Sequence, residues 1–171
     1  MAAETGDTVF LMARSGFSVV CVDRQEGSYV LDTLTGHVGG QIPMGVGPAS
    51  QAILAFLPPD EAATIINANA PLYGRYNGLT PDSVQDRLPE IRARRFALDD
   101  GELVKGISAL AVPILPQGRD AIASIAINMT SARLEPDRLA VLVDLLKGEV
   151  AGIEQMINPL EGLGGRVRLA G

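Results

Sequence analysis

Two strand-like runs, rich in apolar and β-branched residues, open the chain, Thr8 to Arg14 and Phe17 to Gln25. The pair Ser15-Gly16 between them is turn chemistry, so the pattern predicts a β-hairpin. Tyr29 to Leu34 reads as a third, weaker extended segment. The period then changes. Pro48 to Phe56 and Pro59 to Asn67 carry apolar residues at helical spacing, and the second opens on a proline followed by Asp60 and Glu61, which suit the positive end of a helix. A further helix begins at Thr80-Pro81-Asp82, where threonine can cap and proline already holds the φ of a first helical position. Pro89 falls inside it, removing one hydrogen bond at a cost of about 3 kcal/mol in a regular helix, so a kink or break is expected near Leu88.

Strands resume at Phe96 to Asp99, Ser108 to Leu115 and Ala121 to Met129, the last two joined by Pro116-Gln117-Gly118-Arg119. Pro113 inside a strand points to an edge or a bulge. The last element is a helix from Pro136 to Ile157, whose Leu139, Leu142, Val143, Leu146, Val150, Ile153 and Ile157 recur at three and four and must cover a sheet or a partner. Hairpins near both ends with helices between them predict an α+β fold, an antiparallel sheet flanked by helices. Residues 158–171 contain Gly162, Gly164 and Gly165 and no capping logic, and are expected to form a flexible tail.

Between the hairpin and the first helix lies a glycine-rich loop, Gly39-Gly40-Gln41-Ile42-Pro43-Met44-Gly45-Val46-Gly47, running straight into Pro48-Ala49-Ser50. Glycines allow close approach of the backbone to a guest, and a helix start offers N–H groups and a positive dipole end to an anion. A nucleotide loop is disfavoured. Gly45-x-Gly47-x-x-Ser50 has no Gly-Lys-Ser/Thr ending, and a second helix follows where a βαβ unit needs a strand. The expected guest is small and polar or acidic.

Composition narrows the chemistry. The 171 residues, 47% of them hydrophobic, suffice for one domain with a full core. No apolar run is long enough to span a membrane and no signal peptide is evident, which gives the expectation of a soluble cytoplasmic protein with no membrane partner. A net charge of -6 argues against direct contact with nucleic acid. The basic cluster Arg87, Arg92, Arg94 and Arg95 is interleaved with Asp82, Asp86 and Glu90, as on a solvated helix face. Cys21 and His37, the sole cysteine and histidine, leave too few ligands for zinc; Cys21 reads as a buried small hydrophobe and His37 as a solvated loop residue. No metal and no cofactor are implied.

Four blocks, taken in order, resemble the C-terminal effector-binding domain of IclR-type bacterial transcription regulators. They are the opening hairpin from Thr5 to Arg24, the loop and helix from Val38 to Pro58, the segment Arg94 to Ile114 and the segment Ser131 to Leu139, together covering roughly residues 5 to 157. The second is similar to the family's Gly-x-x-x-Pro-Leu-His-x-x-x-x-Gly-Lys-Ala-Leu-Leu-Ala. The resemblance implies a GAF-like or PAS-like fold for residues 1–157, sensing of a small-molecule effector, and a homodimer or homotetramer. It also implies a winged helix-turn-helix ahead of the sensor that would make the DNA contact. Residue 5 already begins the first block, which leaves no room for that part in this chain; the expectation is a trimmed regulator, with a lone sensor as the alternative.

By position, the resemblance places Pro48 and Ala49 at the start of the pocket helix, Asp99 at the pocket aspartate, and Leu31, Leu34, Ile42 and Ile107 on the apolar walls. Ala109, Ala126 and Asn128 fall where relatives that bind small oxo-acids carry Cys, Ser and Ser. Two short hydroxyls are exchanged for one amide, and an unpartnered buried polar group costs about 1–3 kcal/mol, so a bare two- or three-carbon acid is expected to fit poorly. Pro48 also withdraws one N–H from the helix start. A larger or less charged metabolite is expected, such as an aromatic or hydroxylated acid, with Asp99 and Asn128 reading its polar end. The turn Asp99-Asp100-Gly101-Glu102 could also support acid-base work, and the alternative is a small GAF-like enzyme using Asp99 and Asn128 on a small organic acid. With no nucleophile motif, no metal ligands and no nearby histidine, sensing without catalysis is the reading the sequence supports.

Overall fold

The first hairpin forms as the two strand-like runs and the Ser15-Gly16 turn predict. In the computed structural model, which describes residues 1–31, 34, 37–116 and 119–157, a single-turn helix α1 (Ala2–Thr5) precedes strands β1 (Thr8–Ser15) and β2 (Ser18–Gln25). The two strands pair antiparallel from Ser15↔Ser18 to Val9↔Gln25. The third strand is β3 (Gln41–Pro43), which pairs with β2, and not Tyr29–Leu34. Tyr29 donates its N–H to Gly6 O at 2.8 Å and Leu31 to Thr8 Oγ1 at 3.3 Å. Those bonds tie the segment to the α1–β1 junction and take it away from the sheet edge. Asp32 and Thr33 of that stretch, Gln117 and Gly118 of the turn after β5, and the expected tail at 158–171 lie outside the described residues.

Helices α2 (Gly47–Leu54), α3 (Pro59–Tyr73) and α4 (Pro81–Arg94) follow, then β4 (Ala97–Val104), β5 (Ile107–Ile114), β6 (Ala123–Thr130), a 3₁₀ turn at Ser131–Arg133 and α5 (Pro136–Ile157). The six strands make one antiparallel sheet in the order β3-β2-β1-β6-β5-β4. One core cluster joins α2, α3 and α4 to one face of this sheet; the other joins α5 to the opposite face. The apolar stripe of α5 covers the sheet with Leu142, Val143, Leu146 and Val150, while Ile157 stays exposed.

Three expectations change on folding. Helix α4 runs unbroken through Pro89, and α3 continues past Asn67 through Pro71 to Tyr73. Both prolines are exposed, as are Gln85 and Asn67, whose carbonyls lose their partners, so water can satisfy those groups. The capping box Thr80–Ser83 and buried Val84, Leu88 and Ile91 hold α4 straight across the gap. Pro113 sits in an interior strand with no register shift against β6; β4 begins at Ala97 opposite Ala111, so Pro113 meets no strand on that side. The acidic turn Asp99 to Glu102 lies within β4, where the register jumps between Asp100 and Val104 and Gly101 takes φ +78°, and the hairpin turns instead at Lys105-Gly106.

Helix α4 ends on Arg95, the sole non-glycine residue with positive φ among those described (φ 60°, ψ 34°). Glycine adopts this left-handed state freely, whereas a residue with a Cβ gives up about 1 kcal/mol there.

Candidate functional site

The glycine-rich loop is held from below by four buried polar side chains on α2 and α3. Ser50 Oγ accepts from Gly45 N–H at 3.0 Å and donates to Val46 O at 2.7 Å, and Gln51 Nε2 donates to Gly45 O at 2.9 Å. Asn69 Nδ2 donates to Met44 O at 3.0 Å and to Phe17 O at 2.7 Å; Tyr73 Oη donates to Met44 O at 2.7 Å. Burial pushes the Tyr73 phenol up to about 12, so it keeps its donor proton across the neutral range. Gly45 (φ +103°) lies against this tyrosine, and Gly47 (φ +73°) turns the chain into α2. No side chain caps the start of α2, so its N–H groups stay available, while Ser124 Oγ on β6 donates to Ala49 O at 2.9 Å and fixes the helix over the sheet.

The register brings distant residues into one row. Asp99 on β4 stands opposite Ala109 on β5, Ala109 opposite Asn128 on β6, and Asn128 opposite Thr8 on β1. Ala97, Ala111, Ala126 and Phe10 form the adjoining row. Small side chains at Ala109 and Ala126 leave space between this face and α2.

That space is a cavity of about 220 Å³. Of the ten residues expected to form the site, Leu34, Ile42, Pro48, Ala49, Asp99, Ile107, Ala109, Ala126 and Asn128 all line it. Leu31 does not; its backbone is bound to Thr8 Oγ1 and to the Arg24 guanidinium, which turns it away. Further walls are Phe10, Met12, Val46, Gly47, Leu103 and Val104. Phe10 and Met12 lie in the continuous apolar run of β1, which does not mark a face, and Leu103 and Val104 reach the cavity only because β4 loops out after Asp100.

Among the described residues Asp99 is the sole titratable one on this wall, and it is only 6% exposed. Its carboxylate accepts from Leu103 N–H at 3.2 and 3.3 Å. Burial raises its pKa above the usual carboxylate range and Glu102 adds to the rise, against the opposing pull of the Leu103 N–H and of Arg87. Arg87 itself is paired with Glu102 at 2.5 Å. No described residue hydrogen-bonds the Asn128 carboxamide. The cavity thus combines a broad apolar wall with one buried acid, one uncommitted amide and an uncapped helix start. Cys21 is buried with its thiol pKa pushed up by desolvation, and His37 is exposed. Glu90 pairs with Arg94 at 2.8 Å on the solvated face of α4.

A stability test follows from the raised acid. A carboxyl whose folded pKa lies above its unfolded value favours folding fully below that unfolded value, about 3.9, and the contribution is lost as pH rises through the folded value. At neutral pH the ionised Asp99 is therefore a net cost. Asp99→Asn is expected to raise Tm at pH 7, with the gain shrinking as the pH is lowered. Melting curves with the variant below wild type at every pH would show that the carboxylate is needed to hold Leu103.

Comparison with known proteins agrees with this architecture. The chain is 29% identical over 144 residues to the probable transcriptional regulator SauR of Cupriavidus necator, covering 83% of this chain and 56% of that protein. It is 24% identical over 139 residues to the transcriptional repressor IclR of Escherichia coli K12, covering 80% and 50%. It thus spans about half the length of the curated relatives it matches, and these are named as regulators, not enzymes. The crystal structure of Thermotoga maritima IclR superposes with a TM-score of 0.81 at 25% identity, over 90% of this chain and 62% of that one. Among the described residues no helix is long and apolar enough to cross a membrane. The family model described as bacterial transcriptional regulator IclR C-terminal matches residues 1–154, and the chain belongs to that family as its effector-binding domain.

Proposed function

We propose that the cavity under α2 binds an organic acid larger than three carbons, with a ring or a hydroxylated body. The observation that carries this reading is the pairing of a mostly apolar wall with the Asp99 carboxyl and the uncommitted Asn128 amide at one end. An apolar cavity of about 150 Å³ is enough to take up benzene, so 220 Å³ suits a single ring with substituents. A two- or three-carbon acid would leave part of the wall without contacts. In this reading the body lies against Phe10, Met12 and Ile42, a hydroxyl meets Asp99 and Asn128, and the carboxylate faces the N–H groups that begin α2.

Residues 1–157 are, on this proposal, the sensing and oligomerising part of a longer cytoplasmic regulator, a homodimer or homotetramer whose winged helix-turn-helix contacts DNA. Occupancy of the cavity alters operator binding without chemistry on the ligand. The test is titration calorimetry with a monohydroxybenzoate and with glyoxylate. The ring acid is expected to bind and glyoxylate to bind much more weakly. Ala49→Asp, which places a carboxylate at the start of α2, is expected to weaken the ring acid about tenfold or more. An Ala49→Asp protein that binds the acid as tightly as wild type refutes the pose.

A further inference from the structure

A second depression, of about 420 Å³, shares no residue with the effector cavity. Its floor is apolar: Phe56 and Leu57 after α2, and Leu115 after β5. Its rim carries three guanidinium groups, Arg92 and Arg95 from the end of α4 and Arg119 from the approach to β6. The chain holds 14 Lys and Arg against 20 Asp and Glu, so three arginines around one depression stand out against the overall charge. Asp120 lines it as well, and the Glu154 carboxylate accepts from the N–H of Leu115 at 2.6 Å.

The arginines of α4 divide into two sets. Arg87 and Arg94 are neutralised by Glu102 and Glu90. Arg92 spends only Nε, which donates to Ala55 O at 2.8 Å; its two terminal nitrogens make no hydrogen bond with a described residue. The bond holds the Arg92 side chain beside the end of α2, where it lines the depression. The Arg95 side chain has no hydrogen bond and no ion pair with a described residue, and it stands at a backbone position better suited to glycine. Ala121 N–H donates to Phe56 O at 3.4 Å, keeping the approach to β6 beside the floor.

Guanidinium forks recognise carboxylate and phosphate oxygens in pairs, and more than one fork around a single depression suits a doubly charged group with several acceptor oxygens. The apolar floor suits the group such an anion is attached to. We propose that this depression is a second ligand site, for the phosphate monoester of a small aromatic or apolar alcohol. A nucleic acid is a poor match, since phosphate-backbone binding needs an extended basic surface and this chain is acidic beyond the depression.

The test is titration calorimetry of the whole chain at low salt with phenyl phosphate, and with inorganic phosphate as the arm lacking the apolar part. One phenyl phosphate per chain is expected, bound more tightly than inorganic phosphate, with affinity falling as salt is added. Arg95→Gly and Arg92→Gln are each expected to weaken binding about tenfold or more. Arg95→Gly removes the charge at a position where glycine is the easier residue, so its melting temperature is expected to match or exceed that of wild type. Its binding of monohydroxybenzoate in the first cavity is expected to be unchanged. The absence of saturable heat with phenyl phosphate overturns the proposal, and so does binding that survives both substitutions together. A glutamate-rich peptide that outcompetes phenyl phosphate and is lost in the same variants would make this a protein-docking face and would also overturn it.

Discussion

Gly45→Ala is expected to destabilise the domain by about 4 kcal/mol, a large part of the 5–15 kcal/mol typical of a domain. A Cβ on Gly45 would lie 2.8 Å from Tyr73 Cζ and closer still to Tyr73 Oη, so the ring must move. Tyr73 is 1% exposed, and its hydroxyl holds Met44 O; displacing it breaks that bond and disturbs a close-packed neighbourhood, at about 1–3 kcal/mol for each effect. Backbone strain at φ +103° adds about 1–2 kcal/mol for any residue with a side chain. Urea unfolding followed by far-UV circular dichroism measures the loss, since the chain has no tryptophan. In a double-mutant cycle with Tyr73→Ala the two losses are expected to be strongly sub-additive, because the second change removes the clash. A midpoint close to wild type for Gly45→Ala would mean that the loop does not depend on the tyrosine. The same loop carries Val46 and Gly47 into the wall of the cavity under α2, so the loss would reach the proposed binding site.

Asp7→Ala is expected to cost about 3 kcal/mol, the lower end of what breaking a buried ion pair costs, because the two partner cations keep some contact with water. Asp7 is fully buried between α1 and β1, and its two oxygens are held by Arg133 Nε at 2.8 Å and Arg138 Nη2 at 2.5 Å. Both arginines also donate to Thr5 O, at 3.1 and 3.0 Å, and the Arg133 guanidinium stacks 3.8 Å above the Tyr29 ring. One carboxylate therefore joins the start of the chain, the segment after β2 and the start of α5. Removing it leaves two partly exposed cations about 75% buried with no acid between them. Asp7→Asn keeps an acceptor and is expected to lose less. Chemical denaturation showing Asp7→Ala within about 0.5 kcal/mol of wild type, the range of an ordinary surface change, would reduce this cluster to a solvated surface contact.

The cavity under α2 shows which parts of a candidate site can be read along a chain. Pro48 and Ala49 were recognisable because a proline at a helix start and a glycine loop before it are local signals. Phe10 and Met12 were not singled out, because the apolar run Val9 to Ala13 does not say which of its residues face the cavity. Among the polar residues that hold the loop, Gln51 looked like an ordinary helix position, and Asn69 and Tyr73 lay beyond the expected end of the second helix; the role of these residues and of Ser50 becomes visible only when α3 is placed beneath the loop. Leu103 and Val104 were missed because an Asp-Gly pair reads as a hairpin turn. In the folded protein the hairpin turns at Gly106, and the Asp99 carboxylate captures the Leu103 N–H inside a bulged strand.

The sequence by itself determined the α+β class, the two terminal hairpins, the helix starts at Pro59 and Thr80 and the covering stripe of α5. These depend on residue periodicity and on groups within a few positions of one another. The tertiary structure alone decided that Asp99, Ala109 and Asn128 share one row, since register is set by hydrogen bonds between strands far apart in the chain. It also decided that Pro71 and Pro89 leave their helices whole. The cost of a lost backbone hydrogen bond depends on whether the orphaned carbonyl faces water or protein, and only the packed fold settles which way it faces.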